Sequence, residues 1–303
     1  MIIDAHAHLI RSFSGNCGLG EVYDLGEGFI GRLDGSRSLI IPKELCTNGG
    51  FLAETLIQQM DAAGIEKAVL MQAYYYGTNN AYEFEAVQKY PDRFVGVGCF
   101  DPYAVEREQI LDTLLERYGF RVLKFEISQG AGLTGFHPDY RINGDLMEPI
   151  YERAEHKDAI IVFDVGKRGT IGYQLEELTK AAKAHPKVTF VICHLLAPDF
   201  DTDESQWKKD IGGLAACPNI HFDISALPWN LREPYPFPSG ARYARMAADI
   251  VGSNRLIWGS DVPCVLQLSS YKEQYDYLSV SGKFSADEIQ MILGENAKRL
   301  FFK

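Results

Sequence analysis

The chain has 303 residues with a formal net charge of −11, which argues against a nucleic-acid or anionic-membrane surface as the main partner but leaves room for a small anionic ligand in a locally positive pocket. At 46% hydrophobic and 23% charged residues it reads as a soluble globular protein, with no run near the roughly 20 apolar residues of a membrane span. Six scattered cysteines without a Cys-x-x-Cys pair read as reduced thiols, and the first residues lack the basic and long apolar regions of a signal peptide, so a cytoplasmic protein is expected.

Met1–His8 runs from apolar residues into two histidines, His6 and His8. In a strand, side chains at i and i+2 share a face, so the pair can reach one metal ion. Taken alone, it reads equally well as surface histidines near a terminus. Residues 9–50 then break the pattern with nine glycines (Gly15, Gly18, Gly20, Gly26, Gly28, Gly31, Gly35, Gly49 and Gly50). A long glycine-rich insertion after the first strand is expected to act as a lid, the alternative being a disordered surface loop.

From Phe51 a regular alternation begins. Helices are predicted over Phe51–Ala63, Asn79–Lys89, Tyr103–Tyr118, Gly144–Lys157 (Pro149 marking a kink or a late start), Gly172–His185, Ser205–Ala216 and Ala241–Val251. Two more close the chain, Tyr271–Val280 and Ser285–Phe302, the second broken at Gly294. Apolar runs of strand length fall between them at Lys67–Gln72, Phe94–Phe100, Arg121–Ile127, Ala159–Val165, Val188–His194, Ile220–Ser225 and Leu256–Asp261. With Ile2–His8 these are eight strand candidates, each followed by a helix. Near-continuous apolar strands imply burial on both faces, and strict alternation favours a closed α/β (β/α)8 TIM barrel as one domain over 1–303. An open doubly wound sheet would want a Gly-x-Gly-x-x-Gly turn leading into a helix, and no helix follows residues 15–20.

In such a barrel chemistry sits at the C-terminal strand ends. There the sequence puts His6 and His8, Gln72, Asp101, Lys124 and Glu126, Asp164, His194, Asp223 and Asp261. So many charges converging on one axis must pair or bind a cation. Lys124 serves either as a structural ion-pair partner of Glu126 or Asp164, or as a substrate contact. Asp223 reads as a supporting hydrogen-bond acceptor, and Asp101, before Pro102, as turn chemistry. His156 and His185 read as solvated helix-end residues, whereas His137 lies in a loop that could touch substrate.

Together these residues resemble the amidohydrolase superfamily, and more narrowly the amidohydrolase-related branch that holds aminocarboxymuconate semialdehyde decarboxylase. The likeness is carried by Ile3-Asp4-Ala5-His6-Ala7-His8, the Gly-Phe-His-Pro-Asp loop at 135–139, Cys193-His194, Trp258-Gly259-Ser260-Asp261 and the C-terminal run from Ile292 to Phe301. The resemblance implies metal ligation by His6, His8 and Asp261 and a proton-transfer or polarising role for His194. It departs on strand 5, where Asp164 stands in place of the usual histidine as the fourth ligand, and on strand 4, where Lys124-Phe125-Glu126 replaces Lys-x-His. Two imidazoles with two carboxylates make a formally neutral shell for a divalent ion, which brings manganese level with zinc. Metal-free members keep an empty site open.

The expected activity is that of a metal-dependent hydrolase acting on a small carboxylated substrate, with Asp261 or His194 taking the proton from the attacking water. Non-oxidative decarboxylation through the same residues is the alternative, and a non-catalytic small-molecule-binding barrel is the reading of another class. Lys124, Glu126, Arg11 and His137 are candidate substrate contacts, with Trp229 as a pocket wall and Arg232 and Arg242 as further candidates to hold a carboxylate. Neither nucleic acid nor membrane is expected as a partner, and oligomeric state, a homodimer included, is left open.

Overall fold

The computed structural model describes residues 1–18 and 20–303; Leu19, inside the expected insertion, lies outside the described residues. The chain starts with β1 (Ile3–His8). It then builds four short strands, β2 (Ser14–Cys17), β3 (Gly20–Gly26), β4 (Phe29–Arg32) and β5 (Arg37–Leu39), which pair antiparallel in that order. Seven further strands follow: β6 (Lys67–Met71), β7 (Phe94–Gly96), β8 (Val122–Glu126), β9 (Ile160–Asp164), β10 (Thr189–Ile192), β11 (Ile220–Asp223) and β12 (Leu256–Ile257).

These seven and β1 form two parallel arcs, β1-β6-β7 and β8-β9-β10-β11-β12. Backbone hydrogen bonds close both gaps. At one seam Gly98 N donates to Val122 O (2.8 Å) and Lys124 N to Gly98 O (2.9 Å). At the other, Ala5 N donates to Trp258 O (3.1 Å), Asp261 N to His6 O (2.7 Å) and His8 N to Val262 O (3.0 Å). The molecule is therefore a TIM barrel, with β12 shorter than its predicted range because the chain beyond Ile257 bends while still bonding to β1. The predicted helix after β7 starts late, at Arg107, and the helix after β8 starts at Glu148 with Pro149 in its first turn, where a missing N–H costs nothing. The C-terminal helix does not break at Gly294 but passes through a wider π turn, Met291–Glu295, into Asn296–Phe301.

Alternation sorts the side chains. Ile3, Ala5, Val69, Val122, Ile160, Val162, Val191 and Ile257 fill the barrel interior, while a larger apolar layer packs strands against helices. Inward-facing positions then continue past the apolar plug to Lys124 and Glu126 on β8 and Asp164 on β9. In β1 the register against β6 slips by one residue between Asp4 and Ala7. The extra residue is a bulge that inverts the alternation, so that Ile3 and Ala5 point down into the plug and His6 and His8 face the mouth.

The glycine-rich segment is a small sheet seated on the C-terminal rim, not an irregular loop. Gly15 lies so close to the Tyr74–Tyr76 turn that a Cβ there would stand 2.2 Å from the Tyr75 carbonyl oxygen. Gly18 N donates to Gly130 O (2.9 Å), tying β2 to the loop after β8. No helix is long and apolar enough to cross a membrane among the described residues.

Candidate active site

At the mouth, His6 and His8 are held from behind. Nδ1 of His6 meets Asp223 Oδ2 at 2.5 Å, and Nδ1 of His8 meets the Tyr76 hydroxyl at 2.7 Å. Tyr76 donates to the Met71 carbonyl (3.3 Å), so it accepts the Nδ1–H of His8. Burial, helped by Lys124 and the neighbouring histidines, pushes the His6 imidazolium well below its ordinary range, and burial also lowers His8 despite Asp261. With the protons on Nδ1, the Nε2 atoms are left as acceptors: that of His6 is buried without a hydrogen-bond partner, and that of His8 faces Asp261 at the edge of the cavity.

Those lone pairs converge on Asp261. Oδ1 of Asp261 stands 2.9 Å from His8 Nε2 and 3.5 Å from His6 Nε2. Burial opposes ionisation of Asp261, but His8, His194 and Lys124 outweigh it and keep the carboxyl below its usual range. His6 Nε2 is buried without a hydrogen-bond partner. Three acceptor atoms facing one another repel unless a cation lies between them. A tetrahedral ion with arms of about 2.0–2.1 Å would set its ligands about 3.3 Å apart, close to the spacings observed. His6, His8 and Asp261 thus fit a divalent metal. A second cluster, His6, Cys193 and His194, fits worse, because burial raises the Cys193 thiol well above its ordinary value.

Asp261 reaches this position through a left-handed backbone (φ +73°), pinned by its bond to His6 O. The turn beneath it is fastened to β1 by Asp4, a buried carboxylate that accepts from Ser260 N (2.9 Å), Ser260 Oγ (2.5 Å), Tyr271 Oη (2.5 Å) and His6 N (2.9 Å). Gly259 is required there, since a Cβ would lie 2.5 Å from His6 Cβ.

His194 follows β10 in a run of four left-handed residues, His194 to Ala197. That turn swings the imidazole across the mouth to within 4.8 Å of His6, ring centre to ring centre. Nδ1 meets Ser225 Oγ (2.8 Å) and Nε2 faces Asp164 Oδ2 (3.5 Å). Burial works against its charge, but Asp164, Asp261 and Asp223 win and raise it to about 9. The same pairing holds Asp164 below the usual carboxylate range despite its burial. Asp164, expected as a fourth ligand, therefore stands outside the three-donor group and faces His194.

A cavity of about 170 Å³ opens in front, lined by His8, Tyr75, Lys124, Glu126, Asp164, His194, Asp261 and Cys264 among others. Lys124 is only 2% exposed. Burial disfavours its charge, yet Cys193, Glu126, Asp164 and Asp261 raise it. Burial and the charge of Asp164 push Glu126 up to about 7, against the pull of Lys124 and a hydrogen bond from Ser128 (2.9 Å). The well thus combines two cations, an ionised carboxylate pair and one carboxyl poised near neutrality.

Of the remaining expected contacts, Arg11 turns outward over the Tyr82 ring, with Glu85 3.9 Å away. His137 stacks on Tyr103 and bonds Asp101 Oδ2 (2.8 Å). Trp229 packs under Arg232, and Arg242 pairs with Glu204. None of them lines the cavity. Conversely, Tyr76, Ser225 and Tyr75 carry no motif, and Asp4, within the first-strand motif, shows its role only through Ser260 and Tyr271; the tertiary structure brings them behind or beside the site. A further cavity of about 210 Å³ lies near Trp207, where Lys167 pairs with Asp199 and Arg168 with Asp210.

Two histidines on the first strand and an aspartate after the last, gathered at the C-terminal mouth of a barrel, are a donor set suited to metal-assisted hydrolysis. The sequence pattern of the amidohydrolase family matches residues 3–303, and the chain belongs to that family. An L-fucono-1,5-lactonase of Burkholderia ambifaria is 33% identical over 119 residues, a match spanning 38% of this chain and 40% of that protein's length. A zinc-bound amidohydrolase of Burkholderia multivorans superposes with a TM-score of 0.72 at 18% identity, covering 100% of this chain and 99% of that one. A probable 2-pyrone-4,6-dicarboxylic acid hydrolase of Acinetobacter baumannii, with citric acid bound, gives 0.68 at 18% identity over the same shares. At such identities the two structures speak to the fold.

Proposed function

We propose that the chain is a metal-dependent hydrolase that opens the ester bond of a small carboxylated lactone. The observation that carries this is the convergence of the unpartnered His6 Nε2, His8 Nε2 and an Asp261 carboxylate oxygen on one point, beside a cavity lined by Lys124 and His194. His6, His8 and Asp261 would hold the ion, leaving a position open, as catalytic sites require. Zinc suits the two imidazoles, and manganese is the competitor. When bound, the ion polarises the scissile carbonyl and acidifies water. The lactone activity and the pyrone dicarboxylate named for two similar proteins support a cyclic ester as the substrate class.

The protein's own groups divide the work. Asp261 is ionised and takes a proton from the attacking water. Asp164, Asp261 and Asp223 raise His194, which suits it to donate rather than to act as the base: together with Lys124 it would steady the negative charge growing on the carbonyl oxygen. Glu126, poised near 7, is suited to protonate the departing ring oxygen. The carbonyl carbon–oxygen ring bond breaks, water supplies a hydroxyl to the carbon and a proton through these groups to the alcohol, and a hydroxy acid results.

The test is incubation of the zinc-loaded and manganese-loaded protein with aldono-1,5-lactones and 2-pyrone-4,6-dicarboxylate, followed by mass analysis. Gain of one water is expected. Loss of carbon dioxide would move the chain to the carboxy-lyase alternative. A His6→Ala variant should lose stoichiometric metal and at least about a thousandfold in rate, the order of a lost transition-state stabiliser; a variant that keeps both would end the metalloenzyme reading.

A further inference from the structure

The described site leaves one neighbouring space unused. Outside the inner well lies a second cavity of about 370 Å³, lined by Cys17, Arg32, Ile40, Tyr75, Gly130 and Ala131. Ile40 and Tyr75 line both spaces, so the two chambers meet at that pair. Three elements enclose the outer one: Cys17 and Arg32 come from the small sheet, Tyr75 from the turn after β6, and Gly130 and Ala131 from the loop after β8. The Gly18–Gly130 hydrogen bond fastens sheet to loop beside it.

Its lining is mainly apolar, and Arg32 is its one charged residue. Arg32 ends β4, and among the described residues its side chain donates to a neutral partner, Ser38 Oγ (3.1 Å). Asp34, the acid two residues on, turns its Oδ1 to Ser36 N (2.9 Å). Asp34 is near enough for the charge of Arg32 to help lower its carboxyl, but Arg32 makes no ion pair among the described residues, and arginine forks match carboxylates. Tyr75 senses both sides: burial, Cys264, Asp261 and Glu126 raise its hydroxyl, while Arg32 lowers it.

We infer that the outer chamber is a second substrate subsite, in which Arg32 holds a carboxylate at the far end of a substrate whose reactive carbonyl lies in the inner well. Ile40 and Tyr75 flank the apolar body between the two ends. The small sheet is then the element that selects the substrate, and Arg32 is a specificity residue. This subsite deepens the hydrolase reading and rests on it for the placement of the reactive end.

Isothermal titration of the zinc-loaded protein with suberate and octanoate tests it, because the two differ only in the second carboxylate. Suberate is expected to bind about tenfold tighter or more, the size of a charge-assisted pair. Arg32→Ala should erase that difference and Arg32→Lys should keep only part of it. Ala131→Phe, which fills the chamber without touching the charge, should weaken suberate independently. Equal binding of the two acids by the unaltered protein, no binding of either, a difference that survives Arg32→Ala, or suberate binding untouched by Ala131→Phe would each overturn the subsite. Lactone turnover is read in a separate assay: its absence with the Arg32-dependent difference intact would sink the hydrolase reading alone, and its presence without that difference would sink the subsite alone.

Discussion

Tyr76 and Asp223 show how much of a site lies one layer behind its ligands. Each lies against the Nδ1 of one histidine and aims its Nε2 at Asp261. Such partners typically affect metal affinity by about 10- to 100-fold. Tyr76→Phe should therefore weaken zinc binding by that order in a chelator competition, with little change in fold. His221 is a different case at the same scale. Its Nδ1 is buried without a partner, and burial, with the charges of Arg299 and Arg255, lowers the ring to about 4. The unfolded chain takes up this proton as pH falls through about 6.5, while the folded chain resists until about 4, so stability is lost over that interval on acidification. In His221→Phe the melting temperature should fall less between pH 7 and pH 5 than in the unaltered protein; an equal fall would refute the assignment.

Among the elements, β1 and the turn at 258–261 depend on each other. The bulge in β1 turns His6 to the mouth, and Gly259 leaves room for the ring's stem. Gly259→Ala would force a Cβ into His6, and overpacking of this kind costs about 1–3 kcal/mol. Urea unfolding should register that loss, and zinc affinity should fall with it because His6 must move. The left-handed turn at His194 to Ala197 has the same logic. A strand simply ending at His194, as its apolar run implies, would not carry the ring to His6; four consecutive positive φ values do. Such backbone is unfavourable for residues with a Cβ and persists where surrounding contacts hold it, here Ser225 and Asp164.

The whole molecule is a ring whose two ends must meet. Asp4 sits at that closure and joins residue 4 to Ser260 and Tyr271 through a fully buried carboxyl. Asp4→Ala would strand several buried donors, at about 3–5 kcal/mol by analogy with breaking a buried charged network. Its unfolding midpoint in urea should drop accordingly, and a drop within experimental error would show that the seam is held elsewhere. The small sheet between β1 and the first long helix adds a second body to the rim, and its glycines permit close backbone approach to the barrel rather than looseness.

Periodicity, strand length and the position of the ionisable residues were enough, from sequence alone, to define eight βα units and to bring His6, His8, Lys124, Glu126, Asp164, His194 and Asp261 to one mouth. These features are local: a period of two or 3.6 residues and a polar residue at a strand end are written within a few positions of each other. Three matters were decided only in three dimensions. Asp164 faces His194 rather than the three-donor group, because the left-handed turn brings that imidazole to it. Arg11, His137 and Trp229 do not line the cavity, because the loops carrying the first two and the short helix carrying Trp229 pack them on other neighbours. Tyr76, Ser225 and Ile40 join the site from segments far apart along the chain, and Asp4 meets Ser260 and Tyr271 more than 250 residues on; no local pattern encodes such partners, and only closure of the ring and docking of the small sheet bring them together.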